Sequence, residues 1–77
     1  MSEADRVRWH CRRGLLELDL ILARFMERHY GNLDAEGRAV FKELLAYPDN
    51  DLLDWALGKG GPAEPRYQRV VALLRGS

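Results

Sequence analysis

The residues from Leu15 to about His29 constrain this chain more than any others. Leu15, Leu18, Leu22, Phe25 and Met26 recur at three-and-four spacing, the period of one helical face. Leu16, Leu20, Ile21 and Ala23 widen that face until the segment is apolar on several sides. Such a helix belongs at the centre of a bundle, so its neighbours must supply covering faces. Tyr30-Gly31-Asn32 breaks it, with Gly31 suited to a left-handed C-terminal cap.

The rest of the chain provides those neighbours. Asp34 is the expected N-cap of a third helix carrying Val40, Phe41, Leu44 and Leu45 on one face. Pro48 stops it, because the residue before a proline avoids helical geometry. Asp49 or Asn50 is expected to cap a short fourth helix bearing Leu52, Leu53, Ala56 and Leu57, ended by Gly58 and the Gly60-Gly61-Pro62 turn. Pro65 fits a first helical position, ahead of a Tyr67, Val70, Val71 and Leu74 stripe.

The segment from about Glu3 to Arg13 is ambiguous. Val7, Trp9 and Cys11 alternate as in a half-buried strand, whereas Ala4, Val7 and Cys11 share a helical face. A helix is preferred, since no second good strand exists to pair with it. Asp5 would then lie near the favourable N-terminal end of the dipole, and Arg12 and Arg13 near the C-terminal end. The expected fold is all-α: a small five-helix bundle, one helical domain over residues 1–77 with its core at about 6–75.

Size limits what such a bundle can do. A chain of 77 residues buries only about 60–65% of its unfolded surface, so its core is thin. The enclosed catalytic cavity of a typical enzyme is hard to build in it. Twelve basic residues balance twelve acidic ones, which argues against nucleic acid or an anionic membrane as the main partner. The distribution is uneven: Arg6, Arg8, Arg12 and Arg13 crowd the N-terminal region, and acids dominate from Asp49 to Asp54. Cys11 is the single cysteine, so a reducing compartment is the simpler reading. No secretory h-region and no apolar run of about 20 residues is visible, which reads as a soluble cytoplasmic protein without membrane insertion.

Candidate chemistry is sparse. His10, Cys11 and His29 lack the paired spacings of a zinc site, and neighbouring residues on a helix point about 100° apart. A metal site and a catalytic thiol at Cys11 are both disfavoured, and no phosphate-cradling loop is present. Arg6, Arg8, Trp9, Arg12 and Arg13 could stack bases and neutralise phosphates, which makes a small nucleic-acid-binding module the alternative reading. Neutral overall charge favours a solvated face or an acidic protein partner instead.

The element Arg13-Gly14-x-x-Glu17 keeps two readings open. Glu17 could act as a capping glutamate, or pair with Arg13 if the helix were continuous. Alternatively Gly14 bares the backbone to a partner between two charges. Asp19 and Asp51 share this ambiguity, and Trp55 is a rim residue or part of an interaction patch.

These residues also carry a family resemblance. Trp9-x-Cys11-Arg12-Arg13-Gly14-x-x-Glu17-Leu18-Asp19 resembles the signature of the succinate dehydrogenase assembly factors, the small flavinylation factors of bacteria and mitochondria. Matches continue through Phe25, Glu27-x-x-Tyr30, Phe41-x-x-Leu44-Leu45, Asp49-x-Asp51-Leu52-x-x-Trp55 and Gly60-x-Pro62-Ala63, and cover roughly Arg6 to Leu74. The resemblance implies a five-helix bundle that promotes covalent attachment of FAD to the flavoprotein subunit of succinate dehydrogenase and, in bacteria, of the related fumarate reductase. It implies a binding partner or chaperone with no catalytic centre and no stably bound cofactor of its own, acting as a monomer. Arg13, Gly14 and Glu17 are carried over to the contact surface, with Trp9, Arg12 and Asp19 close by. The absence of a transit peptide fits a bacterial member.

Overall fold

The computed structural model describes residues 2–76, and among them every regular element is helical. The order is α1 (Glu3–His10), α2 (Leu16–Arg28), α3 (Ala35–Leu44), α4 (Asp49–Ala56) and α5 (Pro65–Arg75), with a 3₁₀ turn at Tyr30–Asn32. The all-α, five-helix expectation is met, and the ambiguous N-terminal segment is a helix. Ser2 starts it: the Ser2 hydroxyl accepts from the Asp5 N–H at 3.2 Å, and the Asp5 carboxylate accepts from the Ser2 N–H at 3.3 Å. This reciprocal arrangement satisfies two amides that a helix start leaves open.

Three local expectations change. First, α1 ends at His10, not near Arg13. The amides of Cys11 and Arg12 bond back to Arg8 and Trp9, tightening the last turn, and the Arg13 amide is taken by a side chain of α2. Second, Gly31 is not a left-handed cap; it sits inside the 3₁₀ turn, whose bonds from Asn32 to His29 and Leu33 to Tyr30 carry the chain out of α2. Third, α4 is preceded by Pro48 at the N-cap position, and Asp49 is its first helical residue. The Asp49 side chain is drawn elsewhere, to Arg13. By contrast Asp34 caps α3 through the Gly37 N–H at 2.8 Å, and Pro65 opens α5.

The core lies where α2 meets α4, α5 and the 3₁₀ turn, with α3 packed on α5. Leu18, Leu22 and Phe25 of α2 are fully buried, as are Phe41 and Leu44 of α3 and Val71 of α5. Phe25 stacks on Phe41 with centroids 4.4 Å apart, and Tyr30 tilts against Phe41 at 5.8 Å. Such offset aromatic pairs add to what area burial alone gives. At the opposite edge, the Tyr67 hydroxyl donates to Glu43 at 2.8 Å, tying α5 to α3. That hydrogen bond raises the Tyr67 pKa to about 12 and, with Arg66 beside it, lowers that of Glu43.

Helix α1 is the lightly attached element. Val7 is its only buried residue, supported by Cys11 just beyond it. Glu3 of α1 pairs with Lys42 of α3 and accepts from the Tyr30 hydroxyl at 3.4 Å. One further departure concerns α2. It is central, yet Leu16, Leu20 and Ala23 face solvent, on a side that α4, α5 and the 3₁₀ turn leave uncovered.

Candidate functional site

The link between α1 and α2 is built from three residues with different tasks. Gly14 has φ +90°, a backbone conformation that L side chains rarely adopt. A Cβ built there would meet nothing within 4 Å, so it is the dihedral and not crowding that calls for glycine. The space above Gly14 is open.

Asp19 sets the loop. It lies one turn into α2, and its carboxylate accepts from the Arg13 N–H at 2.8 Å and the Gly14 N–H at 3.2 Å. The reach back to amides expected of Glu17 is made by Asp19, and to loop amides ahead of Leu15; the start of α2 itself has no side-chain cap. Glu17, on the first turn of α2, is exposed, and its side chain makes no hydrogen bond or ion pair with the other described residues. Its carboxylate is free for an outside donor, and it favours the helix dipole where it stands.

Arg13 anchors the loop from the other side. Its Nε donates to Asp49 Oδ1 at 2.7 Å, Nη1 to the Leu45 carbonyl at 2.5 Å, and Nη2 to the Tyr47 carbonyl at 3.0 Å. The planar fork of a guanidinium fits this set of acceptors, whereas an ammonium could not serve all three. The Arg13 side chain is 17% exposed, so most of its donors point into the protein. Arg13 and Glu17 do not pair; Arg13 instead joins the α1–α2 link to the α3–α4 link.

The remaining candidates stand around this loop. Trp9 is 67% exposed and lines a shallow groove of about 490 Å³ with His10, Arg12, Arg13, Lys42, Leu45 and Ala46. Arg12, Gly14 and Asp19 line a second groove of about 550 Å³, shared with Arg8, Cys11, Leu20, Ala23 and Met26. Glu17 lies on a third, with Leu20, Arg24, Leu57 and Arg75. All six expected residues thus surround one loop, but they face different grooves. Trp55 is half-buried and edge-on to Tyr47 at 5.1 Å, and Asp51 is exposed on α4. Asp49 and the carbonyls of Leu45 and Tyr47 were not anticipated as partners of Arg13. A carbonyl leaves no mark in a sequence, and Asp49 carried only a cap signal.

Among the described residues no group of three His, Cys, Asp or Glu could hold a metal ion. No helix is long and apolar enough to cross a membrane. Cys11 is buried, and burial pushes its thiol up to about 11 against the opposing pull of Arg13 and Arg8. Only the thiolate is nucleophilic. Two units above the usual thiol value means about a hundredth of the normal thiolate at pH 8. Iodoacetamide at pH 8, followed by mass spectrometry, is expected to label native Cys11 at least about tenfold more slowly than urea-unfolded chain. Equal rates would contradict this burial. Folding holds the proton on, so the thiol opposes stability as pH rises from about 9 to 11, where only the unfolded chain would ionise.

Comparison with known proteins identifies the family of the chain. Residues 5–77 match the family model described as "Flavinator of succinate dehydrogenase". The chain is 40% identical to the FAD assembly factor SdhE of Pseudomonas aeruginosa over 73 residues, covering 95% of this chain and 87% of the relative. It is 39% identical to the SdhE of Coxiella burnetii over 72 residues, covering 94% and 88%. The protein of the same name in Shewanella oneidensis is 39% identical over 71 residues, covering 92% and 87%. With residues 5–77 matched by the family model and relatives 39–40% identical over more than nine-tenths of it, the chain belongs to the family of flavinators of succinate dehydrogenase.

Proposed function

We propose that this chain is an assembly factor that docks on the flavoprotein subunit of succinate dehydrogenase and promotes covalent attachment of FAD to it. The observation that carries the reading is the Gly14 loop. It is clamped from both sides by Asp19 and Arg13 while the space above it stays open. A loop so held meets a partner without further ordering, which spares the entropy that binding would otherwise cost.

The contact surface consists of Gly14, Glu17, Trp9 and Arg12 around the loop, with Arg13 and Asp19 positioning it. Glu17 and Arg12 make charge-assisted hydrogen bonds across the interface, and Trp9 contributes apolar area with a polar handle. The chain has no catalytic role: the flavin and its acceptor histidine belong to the partner, and the factor holds that partner in a reactive arrangement. It acts as a monomer in the bacterial cytoplasm, with the flavoprotein subunit of fumarate reductase as a second client. The family membership and the neutral net charge both favour a protein partner over nucleic acid.

The test is reconstitution with purified apo flavoprotein subunit and FAD. Covalent flavin is read as fluorescence that stays with the subunit in a denaturing gel. Addition of the chain is expected to raise that signal about tenfold or more. An unchanged signal, for the subunits of both succinate dehydrogenase and fumarate reductase, would overturn the reading.

A further inference from the structure

The apolar surplus of α2 has not been used by the fold. Residues 16, 20 and 23 recur on one helical face, and all three are exposed, Leu16 at 76% and Leu20 at 47%. Leu57, just past α4, shares a groove with Leu20 and is itself 47% exposed. Single surface leucines need no explanation, but adjacent ones form a patch that water disfavours. Leu20 is a ridge between two grooves. One, of about 550 Å³, runs along α1 past Arg8, Arg12 and Gly14. The other, of about 300 Å³, runs past Glu17, Arg24 and Arg75.

The charges along this ridge are not balanced by the protein itself. The ion pairs formed among the described residues leave out Arg8, Arg12 and Arg24. Arg75 donates to the carbonyls of Trp55 and Gly60, which carry no charge to match it. Of the nearby acids, Asp19 is held by the Arg13 and Gly14 amides, which carry no charge, so Glu17, Asp19 and Glu27 stand against four arginines and leave the margins net positive. The ridge is therefore an apolar strip with cationic margins.

The geometry assigns the outer face of α2 to a partner segment that presents an apolar stripe flanked by carboxylates. This rests on the proposed function, in that the partner is the flavoprotein subunit; it adds which chemistry on that subunit is read, and by which residues. Gly14 and Leu20 line the same groove, so the ridge continues the docking loop. A second copy of this chain fits poorly. Ridge-to-ridge pairing about a two-fold axis would set Arg8, Arg12 and Arg24 of one copy against the same cations of the other.

Calorimetric titration of the full chain into the apo flavoprotein subunit, at low and at moderate salt, tests the assignment. Leu16→Glu and Leu20→Glu each set a carboxylate against the partner's apolar stripe and beside its flanking carboxylates, and are expected to weaken binding about tenfold or more. Both positions are exposed, so helicity and Tm should hold. Wild-type binding should weaken with salt, and Arg24→Glu should both weaken it and flatten that dependence. If wild type binds and both leucine variants bind equally well, the ridge assignment falls while the proposed function stands. Salt-independent binding removes the carboxylate margins and overturns the assignment as stated. A wild-type dimer in sedimentation that Leu20→Glu dissociates would give the face to a second copy instead. If wild type fails to bind the subunit at all, the functional reading falls first and this assignment with it.

Discussion

Arg13→Ala is expected to lower the stability of the folded chain by about 2–4 kcal/mol, the largest loss from any change outside the apolar core. The substitution removes a fork that reaches Asp49, Leu45 and Tyr47 at once, at distances of 2.7, 2.5 and 3.0 Å. Hydrogen bonds to a charged group contribute about 1.5–3 kcal/mol each when desolvated. Solvent at Asp49, whose side chain is 33% exposed, reduces the ionic share, so the three do not add in full. The carbonyls of Leu45 and Tyr47 would need new donors. A domain of this size has a total stability of roughly 4–12 kcal/mol, so such a loss is a large fraction of it.

Thermal unfolding followed by circular dichroism checks this, with an expected fall in Tm on the order of 10–25 °C. Arg13→Lys should recover only a minor part, since one ammonium cannot reach all three acceptors in the plane they define. A Tm within about 3 °C of wild type for the alanine variant would show that the contacts are exchanged for water at no cost. The result also bears on function. An Arg13 variant that fails to support flavinylation at a temperature where it is half unfolded reveals little about contact, so the assay belongs well below its Tm.

The sequence pattern made the helices legible because their causes are local. Three-and-four spacing marked α2, Asp34 marked the start of α3, and Pro65 opened α5 where a missing N–H is harmless. What the pattern could not supply was the pairing of side chains distant in sequence. Asp49 looked like a cap and is a partner of Arg13, 36 residues away. Asp19, and not Glu17, is the acid that reaches back to amides, where the loop turns left-handed at Gly14. That turn aims the Arg13 and Gly14 amides at Asp19 in the first turn of α2, and only the loop geometry reveals it. Likewise, periodicity showed α2 to be apolar on several sides but not which side would stay uncovered. That depended on which elements pack on α2: α4, α5 and the 3₁₀ turn do, and they leave Leu16, Leu20 and Ala23 exposed.

The residues themselves single out Arg13-Gly14-x-x-Glu17, the resemblance sets Trp9, Arg12 and Asp19 beside it, and contacts divide their labour. Arg13 is turned inward, Asp19 holds amides, and Gly14, Glu17, Trp9 and Arg12 remain toward solvent. The first two shape the surface and the other four are available to touch a partner. That separation makes Gly14 the most informative position, because clearance and conformation can be changed there independently.

Gly14→Ala and Gly14→Arg impose the same backbone strain, about 1–3 kcal/mol for a side chain at φ +90°. Part is offset by about 0.4–1 kcal/mol from the stiffer unfolded chain. Both variants should therefore lose a similar, modest amount of stability and keep their helicity. They differ in what stands above the loop. The alanine methyl enters space with no atom within 4 Å, whereas arginine projects a long cation out from the loop surface. Covalent flavin on co-expressed subunit is expected to stay within about threefold of wild type for Gly14→Ala, and to fall below about a tenth for Gly14→Arg. Wild-type levels with Gly14→Arg would remove the loop from the interface. Equal loss in both variants at equal Tm would place the requirement in the left-handed turn itself, with the Asp19 clamp as its support, and not in clearance for the partner's backbone.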